Sequence, residues 1–160
     1  MKYILSFVLN GQPVDVLTEP TDTLLDVLRE QLYLIGPKRG CDEGDCGACT
    51  VLLNGEPVRS CLTLALTVTG KEVVTVEGLS QNGKLHPLQQ SFHEHYAAQC
   101  GFCTPGMILS AKALLDKKPH PTREEIVEAI SGNLCRCGTY QEVVEAIQAV
   151  ARGEYSETKE

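Results

Sequence analysis

Eight cysteines restrict the possible identity of this 160-residue sequence more than any other property does. They fall into two groups of four that are well separated along the chain. The chain has only three phenylalanines and no tryptophan, so this many cysteines calls for a chemical explanation rather than a packing one. Disulfide bonds, zinc sites and iron–sulfur clusters are the three explanations to compare.

The N-terminal segment helps to choose among these explanations. MKYILSFVLNGQPV has a short apolar stretch that ends at Asn10-Gly11, and it lacks the small-residue cleavage site of a secretory signal. We therefore expect a cytoplasmic protein, in which thiols stay reduced and available for metals. This favours metal binding over disulfide bonds. No apolar run approaches the roughly 20 residues that a transmembrane helix needs.

The first cysteine group has the spacing C-x4-C-x2-C within GCDEGDCGACTV, followed by one more distant cysteine. This spacing is typical of plant-type ferredoxins, which bind a [2Fe–2S] cluster. Gly40, Gly44 and Gly47 permit tight turns with positive φ and leave backbone N–H groups free to face sulfur. Zinc is less favoured, because zinc sites prefer short cysteine pairs. The expected iron ligands are Cys41, Cys46, Cys49 and Cys61.

The second cysteine group consists of C-x2-C in QCGFCTPG and C-x-C in NLCRCGTY. Each pair lies at a predicted junction between helices, and two intervening helices would return the chain so that both pairs meet at one end of a bundle. The result is a site with four thiolates. On spacing alone, zinc and iron–sulfur are equally compatible with it. The expected ligands are Cys100, Cys103, Cys135 and Cys137.

The first half of the chain has the pattern of a small sheet that packs on one helix. Strands are predicted, in chain order, at residues 2–9, 13–17, 50–53 and 73–76. Asn10-Gly11 between the first two is a strong hairpin signal, and residues 54–57 predict another turn. Thr21 or Thr23 would cap a helix with one broad apolar face.

The second half of the chain has helical patterns, which begin after a polar turn cluster at residues 80–84. Helices are predicted at residues 87–98, 105–117, 123–130 and 140–151. Thr104 would cap a helix that starts at Pro105, and Thr122 with Glu125 fits the capping box. The predicted organisation is an α+β chain with domains at residues 1–79 and 80–151 and a polar tail at residues 152–160.

Several functional classes are disfavoured by composition and motifs. A net charge of −7 argues against sequence-independent binding to nucleic acid. The sequence contains neither GxGxxG nor GxxxxGK[ST], so no phosphate-binding loop for flavin or nucleotide is predicted. No Ser–His–Asp set or carboxylate pair can be singled out. We therefore expect no catalytic residue and no turnover by this chain alone.

Together, GCDEGDCGACTV, the single Cys61, QCGFCTPGM and GNLCRC resemble the small iron–sulfur subunit of the molybdenum hydroxylases. This family includes xanthine dehydrogenase, aldehyde oxidoreductase and carbon monoxide dehydrogenase, and the resemblance covers about residues 2–151. It implies a β-grasp ferredoxin-like domain followed by an all-α four-helix-bundle domain, each with one [2Fe–2S] cluster. It also implies a large partner subunit with molybdenum on a molybdopterin and a medium partner with FAD, in a hetero-oligomer such as a dimer of heterotrimers.

The resemblance assigns two further residues to a cofactor contact. In this family, the glutamine of QCGFC and the second cysteine of CRC lie against the pterin, which corresponds to Gln99 and Cys137. The amide of Gln99 suits the mixed donor and acceptor edge of a pterin, although it could instead cap the preceding helix. One departure from the family is Gly138-Thr139, where a Thr-Gly pair is usual.

The resemblance implies an electron-transfer subunit that relays electrons through two clusters between the molybdopterin site and FAD. Two alternatives are a free-standing ferredoxin with two clusters and a zinc-stabilised interaction module. For the complex, the substrate classes compatible with this sequence are purines, aldehydes, carbon monoxide, N-heterocycles and aromatic acyl-CoA.

Overall fold

The chain begins with the predicted β-hairpin, as seen in a computed structural model that describes residues 1–155. Strand β1 (Tyr3–Leu9) pairs antiparallel with β2 (Gln12–Thr18) along its whole length. Asn10 and Gly11 form the turn with φ values of 50° and 79°. Positive φ at both positions is what a two-residue turn needs to match the twist of the strands.

Three more strands complete a five-stranded sheet with the order β2-β1-β5-β3-β4. They are β3 (Thr50–Leu53), β4 (Glu56–Arg59) and β5 (Glu72–Val74). The parallel pair is β1 with β5, and the other neighbours are antiparallel. The turn predicted at residues 54–57 is limited to Asn54-Gly55, because Glu56 and Pro57 already belong to β4, a strand that was not predicted. A proline is tolerated there since β4 is an edge strand.

The first helix packs on the sheet and carries the cap that the sequence predicted. It is α1 (Leu24–Asp26), which continues as a π-helical segment (Val27–Gln31). The cap is Thr23: its Oγ1 accepts the N–H of Asp26, and the Asp26 carboxylate accepts the N–H of Thr23. Leu24, Val27 and Leu28 are fully buried against the sheet, whereas Leu25 is buried against Cys49 and Cys61.

Four helices follow in the second half of the chain. They are α2 (Pro87–Glu94), α3 (Thr104–Lys117), α4 (Arg123–Ile130) and α5 (Tyr140–Ala151). The predicted bounds of α4 and α5 are confirmed, as is the capping box of Thr122 with Glu125. With the five-stranded sheet, these elements make the protein α+β.

Helix α2 is shorter than predicted. It ends at Glu94, because Tyr96 adopts a left-handed φ of 54° and the N–H of Ala97 bonds back to the carbonyl of Phe92 at 2.9 Å. This is a Schellman-type ending, for which glycine is the usual residue. Because tyrosine occupies this position instead of glycine, no local residue pattern in the sequence indicates the end of α2.

The start of α3 also differs from the prediction. Cys103, with φ −82° and ψ −17°, is the N-cap residue, and Thr104 is the first residue of the helix. The chain therefore enters the helical conformation one residue early, at the end of the cysteine loop. The hydroxyl of Thr104 caps nothing: its Oγ1 is buried and has no hydrogen-bond partner among the described residues.

The two halves of the chain pack directly on each other. The core of the helical half extends into the sheet half through Leu52 of β3 and Leu79.

The predicted tail begins in contact with α2, because the hydroxyl of Tyr155 donates to the Glu94 carboxylate at 2.8 Å. Residues 156–160 of that tail lie outside the described residues. None of the helices in residues 1–155 has the length and apolar character needed to span a membrane.

Candidate metal centres

The first cysteine group lies in the loop before β3 and in the turn after β4. Cys41 and Cys46 are half-buried, whereas Cys49 and Cys61 are buried. Cys61 lies in the 3-10 turn Ser60–Leu62. Their thiols interact in two pairs, Cys41 with Cys46 and Cys49 with Cys61. The charge of Cys41 also acts on Cys61, across the two pairs.

Backbone N–H groups face these thiols, as the sequence predicted. Those of Glu43 and Cys46 each donate to Sγ of Cys41 at 3.4 Å, and that of Ala48 donates to Sγ of Cys46 at 3.5 Å. The hydrogen bonds to Sγ of Cys41 lower the pKa of Cys41 to about 7, and the bond from the N–H of Cys46 has the largest effect. Burial instead raises the pKa of Cys61 to about 11, so a thiolate there requires a nearby cation.

The glycines of this loop have two different purposes. Gly44 and Gly47 have positive φ values of 85° and 73°, which confirms the prediction of tight turns. Gly40 has no positive φ. Glycine is needed at this position because there is no space for a side chain. A Cβ at Gly40 would lie 2.7 Å from Sγ of Cys46, which is closer than side chains tolerate.

The second cysteine group lies at two helix junctions, as predicted. Cys100 and Cys103 precede α3, and Cys135 and Cys137 precede α5. Their thiols also interact in two pairs, Cys100 with Cys137 and Cys103 with Cys135. Cys100 also interacts electrostatically with Cys103 and Cys135. Cys103 is buried, whereas Cys100 and Cys137 are exposed.

Thr139 shows how the chain accommodates its Gly138-Thr139 sequence. Gly138 takes a positive φ of 80°, and Thr139 is buried at the N-cap position of α5. The hydroxyl Oγ1 of Thr139 lies 3.3 Å from Sγ of Cys135. Burial raises the pKa of Cys135, but hydrogen bonds from Thr139, Cys103 and Gly138, those of Thr139 being the strongest, together outweigh burial and lower the pKa to about 7.

The pairwise arrangement of the thiols fits [2Fe–2S] clusters. Within residues 1–155, no group of three or more His, Cys, Asp or Glu side chains is arranged to hold a metal ion. Two thiol pairs per group match a binuclear cluster, in which each iron takes two of the four cysteines. The buried Oγ1 of Thr104, next to Cys103, is an unused donor that a cluster sulfur would satisfy.

The two predicted pterin-contact residues lie at the protein surface. Gln99 lies in a bend after the end of α2, so it does not cap that helix. Its side chain is exposed and makes no hydrogen bond to any described residue. Cys137 is exposed as well, and its thiol interacts with that of Cys100, the residue after Gln99. Both residues are therefore accessible to a partner.

Sequence reasoning missed the polar residues that join the two cysteine loops. The guanidinium of Arg59 donates to the carbonyl of Gly132 at 2.6 Å, and the amide of Asn133 donates to the carbonyl of Gly47 at 3.1 Å. These partners are separated by 73 and 86 residues, so no local pattern indicates them. The Gly132-Asn133 pair within GNLCRC was the only sequence feature that indicated this junction.

The chain matches two families in succession. Residues 7–78 match the family described as "2Fe-2S iron-sulfur cluster binding domain". Residues 75–148 match the family described as "[2Fe-2S] binding domain". Each match contains one complete cysteine group.

Similar proteins of known function are small subunits of oxidoreductases. The nicotinate dehydrogenase small FeS subunit of Eubacterium barkeri is 52% identical over 147 residues, which cover 92% of this chain and 94% of the relative. The nicotine 6-hydroxylase small subunit of Paenarthrobacter nicotinovorans is 53% identical, over 86% of this chain and 83% of the relative.

A solved structure shares the same fold. Quinoline 2-oxidoreductase from Pseudomonas putida 86 matches with a TM-score of 0.92 and 48% identity, over 96% of this chain and 94% of the matched chain. Full-length similarity, both cysteine groups and the fold agree. The chain belongs to the family of small iron–sulfur subunits of the molybdenum hydroxylases.

Proposed function

We propose that this chain is the electron-transfer subunit of a molybdenum-containing hydroxylase complex and that it relays electrons between a molybdopterin site and FAD on its partners. The observation that carries the proposal is one complete four-cysteine group in each of two successive [2Fe–2S] domain matches, in a chain with the fold of a quinoline 2-oxidoreductase chain. A bound [2Fe–2S] cluster would carry single electrons. The side chains do not supply such a carrier by themselves.

We assign all eight cysteines as iron ligands, four per cluster. Cys41, Cys46, Cys49 and Cys61 hold the first cluster, and Cys100, Cys103, Cys135 and Cys137 hold the second. Backbone N–H groups and the hydroxyl of Thr139 offset the negative charge of the thiolates, and the hydroxyl of Thr104, which has no partner among the described residues, is available to donate to a cluster sulfur. Burial of Cys49, Cys61 and Cys103 keeps water away from one side of each site.

The organisation of the chain follows from this assignment. We propose that residues 1–79 are a β-grasp ferredoxin-like domain and that residues 80–151 are a four-helix-bundle domain. The five-stranded sheet with α1 on one face supports the first part. The shared core of α2 to α5, with a cysteine pair before α3 and before α5, supports the second.

The exposed end of the second cysteine group supports a proposal for the direction of the relay. We propose that Gln99 and Cys137 contact the pterin on a large molybdopterin subunit and that the N-terminal domain faces a medium subunit with FAD. The amide of Gln99 makes no hydrogen bond within residues 1–155, and Cys137 is exposed beside Cys100. A hetero-oligomer such as a dimer of heterotrimers, in the cytoplasm, fits these contacts.

The names of several similar proteins support a proposal for the substrate class. The two relatives and the solved structure described above are named for nicotinate, nicotine and quinoline, all of which contain an aromatic nitrogen ring. We propose that the complex of this chain oxidises a nitrogen heteroaromatic compound. The small subunit carries the electrons, and the large subunit determines the substrate.

Isolation of the tagged chain from its native cells tests this function. We expect it to co-purify with two larger subunits, with molybdenum and FAD in the complex, and quinoline or nicotinate to bleach its iron–sulfur absorbance. An iron-containing chain that purifies alone would indicate a free-standing ferredoxin. A colourless chain that contains zinc would indicate an interaction module.

A further inference from the structure

Arg59, at the end of β4, spans the junction between the two cysteine loops. Its Nε donates to the carbonyl of Gly44 at 3.2 Å, and its Nη1 donates to Oγ1 of Thr50 at 2.9 Å. On the other side of the junction, its Nη2 donates to the carbonyl of Gly132 at 2.6 Å. Gly44 lies in the first cysteine loop, and Gly132 lies just before the second. One planar guanidinium therefore holds both loops.

Asn133, beside Gly132, holds the same junction from the helical half. It is 2% exposed, and its side-chain amide donates to the carbonyl of Gly47 at 3.1 Å. Its carbonyl Oδ1 accepts the hydroxyl of Ser110 from α3 at 2.8 Å. Both ends of this buried side chain are thus paired, so its orientation is fixed.

Close backbone contact accompanies these hydrogen bonds. A Cβ at Gly47 would lie 2.3 Å from the carbonyl oxygen of Gly132, and a Cβ at Gly106 would lie 2.4 Å from that of Gly47. The absence of side chains at these positions lets the N–H of Leu134 donate to the carbonyl of Cys46 at 2.9 Å. Leu134 immediately precedes Cys135, so this hydrogen bond directly connects a residue of one cysteine group to the neighbour of the other.

We infer that Arg59 and Asn133 are positioning residues that fix the distance and orientation of the two cysteine groups through the hydrogen bond from Leu134 to Cys46. This inference rests on the proposed function, because the distance matters only if each group holds a cluster. Lysine could not replace Arg59, since an ammonium group cannot reach three separated acceptors in one plane. Aspartate could not replace Asn133, since its second oxygen would face the Gly47 carbonyl without a proton to donate.

The test uses the full chain with its clusters and the variants Arg59→Lys and Asn133→Asp. Lys117→Met is the matched control, because the ion pair of Lys117 with Glu56 also joins the two halves but lies at the surface. Amide hydrogen exchange of the peptide that contains Leu134 reports the hydrogen bond. The magnetic interaction between the two reduced clusters, seen in their electron paramagnetic resonance spectra, reports their relative position.

We expect roughly tenfold faster exchange of this peptide in both junction variants, equivalent to about 1.4 kcal/mol. We also expect a weaker or broadened magnetic interaction at unchanged iron and sulfide content, with Lys117→Met like the wild type. Wild-type exchange and magnetic interaction in both junction variants would overturn the inference. Absence of iron and sulfide from the wild-type chain would instead overturn the proposed function, and the two failures are therefore distinguishable.

Discussion

The hydroxyl oxygen of Thr139 lies 3.3 Å from the sulfur of Cys135, on a residue that is only 2% exposed. As the iron ligand that we propose, Cys135 would bear a thiolate, and the hydroxyl would be the donor in the loaded protein. Hydrogen bonds to the sulfurs of a cluster favour its reduced, more negative state. The Thr139 hydroxyl is thus positioned to raise the reduction potential of the second cluster.

Replacement of Thr139 tests this effect. We expect Thr139→Val to lower the potential of the second cluster by on the order of 50 mV, since a tenfold change in a one-electron equilibrium is about 59 mV. Thr139→Ser retains the hydroxyl and should keep the wild-type potential. Redox titration followed by electron paramagnetic resonance measures both. Equal potentials in the valine and serine variants would contradict a role for this hydrogen bond.

Replacement of a cysteine in one group should disrupt only the cluster of that group. In Cys61→Ser we expect the signal of the first cluster to change or disappear while that of the second persists, because Cys61 is paired with Cys49 and not with any cysteine of the helical half. Cys103→Ser should have the reverse effect, because Cys103 is paired with Cys135. Loss of both signals in either variant, in a chain that remains folded, would contradict separate sites.

Gln99 should affect the entry of electrons and not the stability of the chain. Its side chain is exposed and contacts no described residue by a hydrogen bond, so Gln99→Ala should leave the free energy of unfolding within about 0.5 kcal/mol of wild type. In the assembled complex, we expect slower reduction of the clusters by substrate in a stopped-flow experiment. Gln12→Ala, an exposed glutamine on β2, is the control. An unchanged rate with unchanged molybdenum content would exclude the role assigned to Gln99.

His86 predicts a pH dependence of stability. It precedes α2, and its Nδ1 accepts the N–H of Leu88 at 3.2 Å. Burial, followed by the charge of Lys112, lowers the pKa of His86 below the ordinary value of 6.5. Because the unfolded chain binds this proton more readily than the folded chain, stability should fall as the pH decreases through the region below 6.5.

Urea unfolding at about pH 7.5 and about pH 5.5 measures this dependence. His86→Asn keeps an N-cap acceptor that does not titrate, so it should lose less stability between the two pH values than the wild type. His86→Ala should be less stable by about 1 kcal/mol at the higher pH, since it lacks the cap. An equal loss with pH in the wild type and His86→Asn would show that His86 is not the titrating group.

Local chemistry made part of this fold predictable. The Asn10-Gly11 turn and the capping box of Thr122 are signalled by residues that lie within four positions of one another. The position of the cysteines at a loop and at two helix junctions was predictable for a similar reason, since their spacing and the nearby glycines are local features; their role as iron ligands stays a prediction. Even there, Gly40 is needed for space near Cys46 and not for a positive φ.

Long-range contacts and unusual caps were not predictable. The junction between Arg59 and Gly132 depends on how the two halves pack, which leaves no periodic pattern in the sequence. Likewise, α2 ends at a tyrosine with positive φ, where local preferences favour continuing the helix. At Thr104, the loop conformation makes this residue the first of the helix, so its hydroxyl is buried without a partner among the described residues instead of capping.

Anaerobic reductive titration of the purified chain, combined with iron and sulfide analysis, tests the central claim most directly. The account predicts a brown protein with equal iron and acid-labile sulfide, two of each per cluster. It also predicts uptake of one electron per cluster, with two distinct electron paramagnetic resonance signals. A colourless chain that contains zinc, takes up no electrons and is otherwise folded would contradict the account.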